Sequence, residues 1–320
     1  MKIAKSMTLF ALVAIAIMVP LSAHAEEGGS GHYMPGGNAS FIDELPLQPG
    51  LAIANYFNFY DGGASASRQV PVGGLITADL DATAYSDTIL AFYKTPLELL
   101  GGNYAVAVAI PYVWMKVKGE VTGPLGNTFT KRDSANGIGD ILFYPFMLGW
   151  TGLGGDLRSD VRLGIYAPTG DYDKGELANV GKNYWTFEPT ASLSYMSSKI
   201  GLELTGFAGM DFNTENHKTD YQTGTQFHFD FTVAEHFPLL GGVIGIGANG
   251  FYYQQLTGDS GSGARLGDFK GRTLGIGPVV SYITKIWGKD LAAEVKWLPE
   301  IDVKNRIEGD YLWFKLGMAF

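Results

Sequence analysis

The last ten residues of the chain alternate. Leu312, Phe314, Leu316, Met318 and Phe320 are apolar, and Tyr311, Trp313, Lys315, Gly317 and Ala319 between them are amphipathic, charged or small. A period of two belongs to a β-strand with one greasy face. A run of about ten such residues is the unit of an outer-membrane β-barrel. A terminal aromatic on such a strand resembles the mark by which the bacterial barrel-assembly machinery selects its clients, so that machinery is an expected partner.

The other end agrees. Lys2 and Lys5 precede an apolar run from Met7 to Leu21, and Ala23-His24-Ala25 is an A-x-A cleavage signal. Residues 1–25 therefore read as a signal peptide, with Glu26 as the mature start. No later stretch approaches the ~20 unbroken apolar residues of a spanning helix. A closed barrel is the other way across a bilayer. Only 17% of residues are charged, against about 25% in soluble domains. The chain has no Cys, which suits passage through an oxidising periplasm. Its net charge of −9, more negative once Lys2 and Lys5 are removed, argues against nucleic-acid binding.

Residues 26–49 are rich in Gly, Pro and Ser and show no strand period. The barrel is expected over 50–320, as segments 50–61, 76–94, 103–118, 137–150, 156–168, 184–196, 199–213, 220–236, 242–256, 271–286, 290–303 and 310–320. Long polar connections such as 119–136, 168–183 and 257–270 alternate with tight ones such as Ser197-Ser198 and Gly288-Lys289. Long external loops and short periplasmic turns have this pattern, and it places both termini in the periplasm. The fold class is all-β, an antiparallel transmembrane barrel of twelve strands bounded by lipid and lipopolysaccharide.

Several segments separate into two faces. Phe227, Phe229, Phe231 and Val233 oppose Gln226, His228, Asp230 and Thr232. Charges facing acyl chains are costly, so the polar set belongs in the lumen. The lumen is then expected to hold Arg158, Asp160, Arg162, Glu188, Glu203, His228, Asp230, Glu294, Lys296 and Lys315, with Arg158 and Arg162 near Asp160, Glu188 or Glu203, and Lys296 near Glu294. Over 103–118 the inner face is small and apolar, with Ala105, Ala107 and Ala109. Aromatics near segment ends (Tyr56, Phe57, Phe59, Tyr60, Tyr112, Trp114, Tyr252 and Tyr253) suit interfacial girdles.

Particular stretches carry a family resemblance: Gly31-His32-Tyr33-Met34-Pro35-Gly36, Ser40-Phe41-Ile42-Asp43-Glu44-Leu45-Pro46, Ala167-Pro168-Thr169-Gly170-Asp171-Tyr172, Asn183-Tyr184-Trp185-Thr186-Phe187-Glu188-Pro189, Asn213-Thr214-Glu215-Asn216, and Thr219-Asp220-Tyr221-Gln222-Thr223-Gly224 followed by His228-x-Asp230. Together they resemble the outer-membrane proteins of the meta-pathway of phenol degradation, the SphA-like transporters. The resemblance implies an outer-membrane barrel often encoded with aromatic-compound catabolism, no enzyme activity and no ligand residues to carry over.

Catalytic chemistry is poorly represented. There is no G-x-S-x-G elbow; His228 and Asp230 could serve Ser192 or Ser194 only if the register allowed, and a lumenal hydrogen-bond network is the simpler reading. Asp171-x-Asp173-x-Gly175-Glu176 lacks the full calcium-loop pattern. No cofactor and no metal is expected. Residues 28–46 contain Tyr33, Met34, Phe41 and Leu45, which a solvated tail does not need. They are expected to plug the lumen from the periplasmic side through His32, Tyr33 and Phe41. The function expected is a channel or transporter for a small hydrophobic or aromatic solute. A membrane-embedded hydrolase and a structural barrel with working external loops are the rivals.

Overall fold

The computed structural model describes residues 27–46, 48–122, 127–266 and 270–320; the expected signal peptide lies outside them. Fourteen strands form one antiparallel sheet: β1 (Gly50–Ala64), β2 (Val70–Val72), β3 (Leu75–Leu99), β4 (Gly102–Thr122), β5 (Thr128–Ile138), β6 (Ile141–Gly152), β7 (Leu157–Ala167), β8 (Thr186–Met196), β9 (Leu202–Asn213), β10 (Gln226–Leu239), β11 (Gly242–Gln255), β12 (Arg272–Ile286), β13 (Lys289–Lys304) and β14 (Glu308–Ala319). The strands β1 and β14 pair from Ala52↔Ala319 to Gly63↔Glu308, and β3 pairs with both β1 and β4, so the sheet closes. Short β2 and β5 lie outside the ring, leaving twelve strands around the barrel. Closure leaves no edge within the twelve-strand ring, as hydrocarbon requires.

The outer face of β4 shows where lipid ends. Val106, Val108 and Ile110 come first, then exposed Tyr112 and Trp114, then Lys116, Lys118 and Glu120. Beyond the aromatic level the outer face carries ion pairs such as Lys118–Asp81 (3.1 Å) and Arg272–Asp302 (2.9 Å). The strands thus rise past the membrane on the side of the long loops. Phe314 and Leu316 are exposed, Leu312 and Met318 half-exposed, and Trp313 and Lys315 buried. The alternation of β14 therefore maps onto outside and inside.

Three expectations need correction. The stretch 119–136 is mostly strand: β4 continues to Thr122 and β5 returns on it, separated from β6 by Gly139 and Asp140, where the Gly139 N–H donates to the Pro111 carbonyl at 2.9 Å. Residues 220–225 belong to a loop, because Tyr221 and Gln222 pair with Asn216 and Ser260 in other loop segments instead of extending β10. The aromatics near strand ends split by parity: Phe57, Phe59, Tyr112 and Trp114 face out, whereas Tyr56, Tyr60 and Tyr253 are buried in the lumen. Adjacent residues of a strand cannot share a face.

An arginine at Phe229, on the outer face of β10, should cost about 2–4 kcal/mol if it sits in hydrocarbon, and Phe229→Leu should be near neutral. Heat-modifiability of the two variants checks this. Equal folded fractions would contradict the assignment of faces.

Candidate functional site

Residues 27–46 run inside the barrel. At the lower end, Glu44, Leu45 and Pro46 share a small pocket with Lys94, Trp150 and Arg158 near the short turns. At the upper end, Glu27 accepts hydrogen bonds from the Tyr172 hydroxyl (3.0 Å), Gly74 N–H (3.1 Å), Asn216 (3.1 Å) and Thr219 (3.2 Å). These partners belong to the long loops. Burial, together with the Glu27 carboxylate, holds the Tyr172 hydroxyl well above the usual phenol range. The barrel's own ends, Gly50 and Phe320, lie at the short-turn side, but the chain before them crosses to the opposite mouth. The expectation that both termini lie in the periplasm is not met at Glu27, whose buried carboxylate takes these donors from the outer loops.

The segment bends sharply at Gly36, whose φ of +74° favours glycine; a Cβ there would stand 2.4 Å from Leu298 Cδ1. Below the bend a short turn is organised by Asp43, whose Oδ2 accepts from the N–H of Ala39 (2.7 Å) and Ser40 (3.0 Å). This is the local logic of S-x-x-D, an acid satisfying the amides before it. The same carboxylate takes the Lys315 ammonium at 2.7 Å and the Tyr56 hydroxyl at 2.9 Å, with no exposure of its own. Lys315 also donates to the Gly37 carbonyl (2.7 Å).

The wall from β7 to β14 grips the segment through the lumenal residues singled out from the sequence. Asp160 and Arg162 pair at 2.6 Å, and Arg162 reaches the Asp43 carbonyl at 3.1 Å. Glu203 pairs with His236 at 2.7 Å and accepts the Phe41 N–H at 2.9 Å; the Phe41 ring meets His236 edge-on. Lys296 lies 3.1 Å from Glu294, which also accepts the Ser40 hydroxyl. Asp230 accepts the Tyr33 hydroxyl (2.9 Å) and Gly36 N–H (2.7 Å), and the Tyr33 ring stacks on His228 at 4.1 Å. His32 bridges Thr186 (2.7 Å) and Asp140 (2.8 Å). Arg158 stands apart from this network, in the lower pocket with Glu44. Glu188 lies beside His228 and Asp211.

Sequence reading missed Asp43, Glu27, Asp140 and Lys182, whose ammonium donates to the Ser30 hydroxyl at 2.9 Å. The signal available for Asp43 was its spacing from Ser40. The other three become functional only through partners far along the chain.

The opposite wall is different. On β3, β4 and β6 the inward residues include Ala82, Leu90, Phe92, Ala109 and Leu142. Between this wall and residues 29–38 lies a cavity of about 300 Å³. The segment is bound to the polar half of the lumen, and the cavity beside it is bounded by these apolar residues with Ser86 and Thr88 on one side and by Arg162, Glu188 and Asp230 on the other.

The hydrolase geometry is not assembled. Register places Gly209 opposite both His228 and Thr190, while Ser192 donates to Asp160 (2.8 Å) and Ser194 shares a hydrogen bond with Thr205 (2.8 Å). In the 171–176 loop, Glu176 pairs with Lys131 (2.6 Å) and Asp173 faces Lys218 (3.8 Å), so lysines compensate the acids there.

Removing the Asp43 carboxylate takes the nearest counter-charge from the buried Lys315 ammonium and leaves it the Gly37 carbonyl and Glu294 at 3.6 Å, a loss of at most about 3–5 kcal/mol. In the cysteine-free chain, Ala39→Cys should resist maleimide labelling alone and label about tenfold faster or more when combined with Asp43→Ala. Equal rates would show that Asp43 does not hold the segment.

Among solved structures, the fold is similar to the COG4313 outer membrane channel from Pseudomonas putida F1, with a TM-score of 0.59 and 14% identity over 90% of this chain and 100% of that one. The beta domain of the Bordetella autotransporter BrkA (0.45, 12% identity, 85% and 100% covered) and a Pseudomonas aeruginosa FadL homologue (0.43, 8%, 94% and 99%) are more distant. No functionally curated protein matches the sequence. Residues 59–316 match the family described as "Putative MetA-pathway of phenol degradation", and the chain belongs to that family.

Proposed function

We propose that the protein is a non-catalytic outer-membrane channel for small hydrophobic or aromatic solutes, with residues 28–46 as its plug. The observation that carries this reading is the division of the lumen. A polar wall holds the segment, and an apolar wall faces a cavity of about 300 Å³, at the lower end of the size range of small-molecule sites. A barrel of about eight strands is filled by its side chains and one of sixteen is an open aqueous channel. Twelve strands leave room for a segment and a narrow path beside it. The family description, which ties its members to phenol degradation, is consistent with an aromatic solute. The structural relative described as an outer membrane channel adds the fold.

An apolar solute crosses such a path by exchanging water for Leu90, Phe92 and the alanines of β4, at roughly 25 cal/mol per Å² of apolar surface covered. Passage requires the solute to slip past residues 29–38 or to displace them.

Deleting residues 28–46 should raise conductance in planar bilayers and uptake of an apolar solute such as toluene in cells. Unchanged conductance from a folded barrel would remove the plug from the account. Ala109→Trp, which fills the cavity from the apolar wall, should reduce toluene uptake without releasing the segment, as read by the labelling of Ala39→Cys. Uptake equal to wild type would show that solutes do not use this wall.

A further inference from the structure

Beside the plug, three acid and imidazole groups converge without satisfying one another. Glu188 on β8, Asp211 on β9 and His228 on β10 bring ligand atoms within 4.8 Å of one another. Each residue is at most 3% exposed. His228 Nε2 stands 3.8 Å from Glu188 Oε1 and 3.7 Å from Asp211 Oδ1, too far for hydrogen bonds. Within the chain, neither oxygen of Asp211, neither nitrogen of His228 nor Oε2 of Glu188 has a hydrogen-bond partner. Buried polar atoms are normally partnered. Here several unpartnered atoms on three adjacent strands point to one spot.

The backbone makes room for the arrangement. A Cβ on Gly209 would lie 2.3 Å from His228 Cε1 and 2.5 Å from its Nε2, so the imidazole packs against that glycine in space a side chain would fill. Elsewhere in the lumen acids meet cations at hydrogen-bonding distance, as at Asp160–Arg162 and Asp43–Lys315. At this cluster two carboxylates share one imidazole, and Asp230 stands 3.8 Å from its other nitrogen.

We propose that Glu188, Asp211 and His228 bind one divalent transition-metal ion of the zinc class. One imidazole with two carboxylates is a donor set suited to such an ion. Bonds of about 2.1 Å at a tetrahedral angle set ligand atoms roughly 3.4 Å apart, so the imidazole-to-carboxylate spacings of 3.8 and 3.7 Å need a small closure and the two carboxylates must draw together from within 4.8 Å. Binding through Nε2 directs Nδ1–H at Asp230, an orientation typical of metal-bound histidine. Asp230 in turn holds Tyr33 and Gly36. The ion would thus fix the imidazole against which Tyr33 stacks and tighten the plug. That coupling rests on the plug reading; metal binding itself does not.

The enclosed site calls for refolding the mature barrel with and without ZnCl₂, followed by gel filtration and metal counting by plasma mass spectrometry. The expected result is one zinc per folded barrel, with affinity reduced about tenfold or more in Asp211→Asn and unchanged in Glu176→Gln, whose carboxylate belongs to the Lys131 pair. Heat-modifiability of each variant confirms folding. Folded wild-type barrels without stoichiometric zinc would overturn the proposal. Full zinc retention in folded Asp211→Asn would overturn it equally. Zinc binding with no slowing of Ala39→Cys labelling would keep the site and reject its coupling to the plug.

Discussion

The position of the lumenal segment proposed as a plug depends on one buried carboxylate. Asp43 is fully enclosed and shared between the segment's own amides and the wall, through Ala39, Ser40, Tyr56 and Lys315. An isolated carboxylate or ammonium in that place would be prohibitive, and even a pair is compensated only when its remaining hydrogen-bonding capacity is used. Asp43 meets that condition by folding its own chain into a turn. Lys315 meets it by reaching Asp43 and the Gly37 carbonyl. The pair therefore fixes where the segment lies more than it adds to overall stability. The network above it, from Glu203 to Asp230 to Asp140, extends the same rule to the outer loops.

The lumen is consequently two half-surfaces with different work. Strands β7 to β14 carry the acids, imidazoles and cations that match the polar backbone of residues 27–46. Strands β3, β4 and β6 carry mainly alanine, leucine and phenylalanine, with a few polar groups such as Ser86, Thr88 and Tyr144 among them. A segment rich in Gly and Pro exposes amides and carbonyls that must be satisfied, so it leans to the polar side. The cavity on the apolar side follows from that preference. The selectivity proposed for the channel is thus a consequence of how its own plug is solvated.

Much of the barrel was legible because period two is rigid. Leu316 outside and Lys315 inside follow from parity alone, as does the inward set from Asp160 to Lys296. Parity also corrects the aromatic reading: Tyr56 and Phe57 are neighbours and cannot both join a girdle, and Tyr56 instead reaches Asp43. The strand β5 was hidden because Thr128–Ile138 is polar on both faces and projects above the membrane, where hydrophobic alternation is not required. The path of the plug was legible only in composition. Its aromatics and imidazole suggested an enclosed segment, but Glu27 meets Tyr172 and Asn216 across 145 and 189 residues of sequence, and no local pattern encodes such a meeting. The Glu188–Asp211–His228 cluster was hidden for the same reason, since it depends on the register of three strands.

The central claim is that residues 27–46 occupy the lumen against the polar wall. Replacing Tyr33 with the photoreactive p-benzoylphenylalanine and irradiating intact outer membranes tests it most directly. Mass spectrometry should find the crosslink within the same chain, on β10 or β11 around His228 and Tyr253, which stack with Tyr33 at 4.1 and 6.0 Å. Crosslinks to periplasmic proteins, with none inside the barrel, would contradict the account.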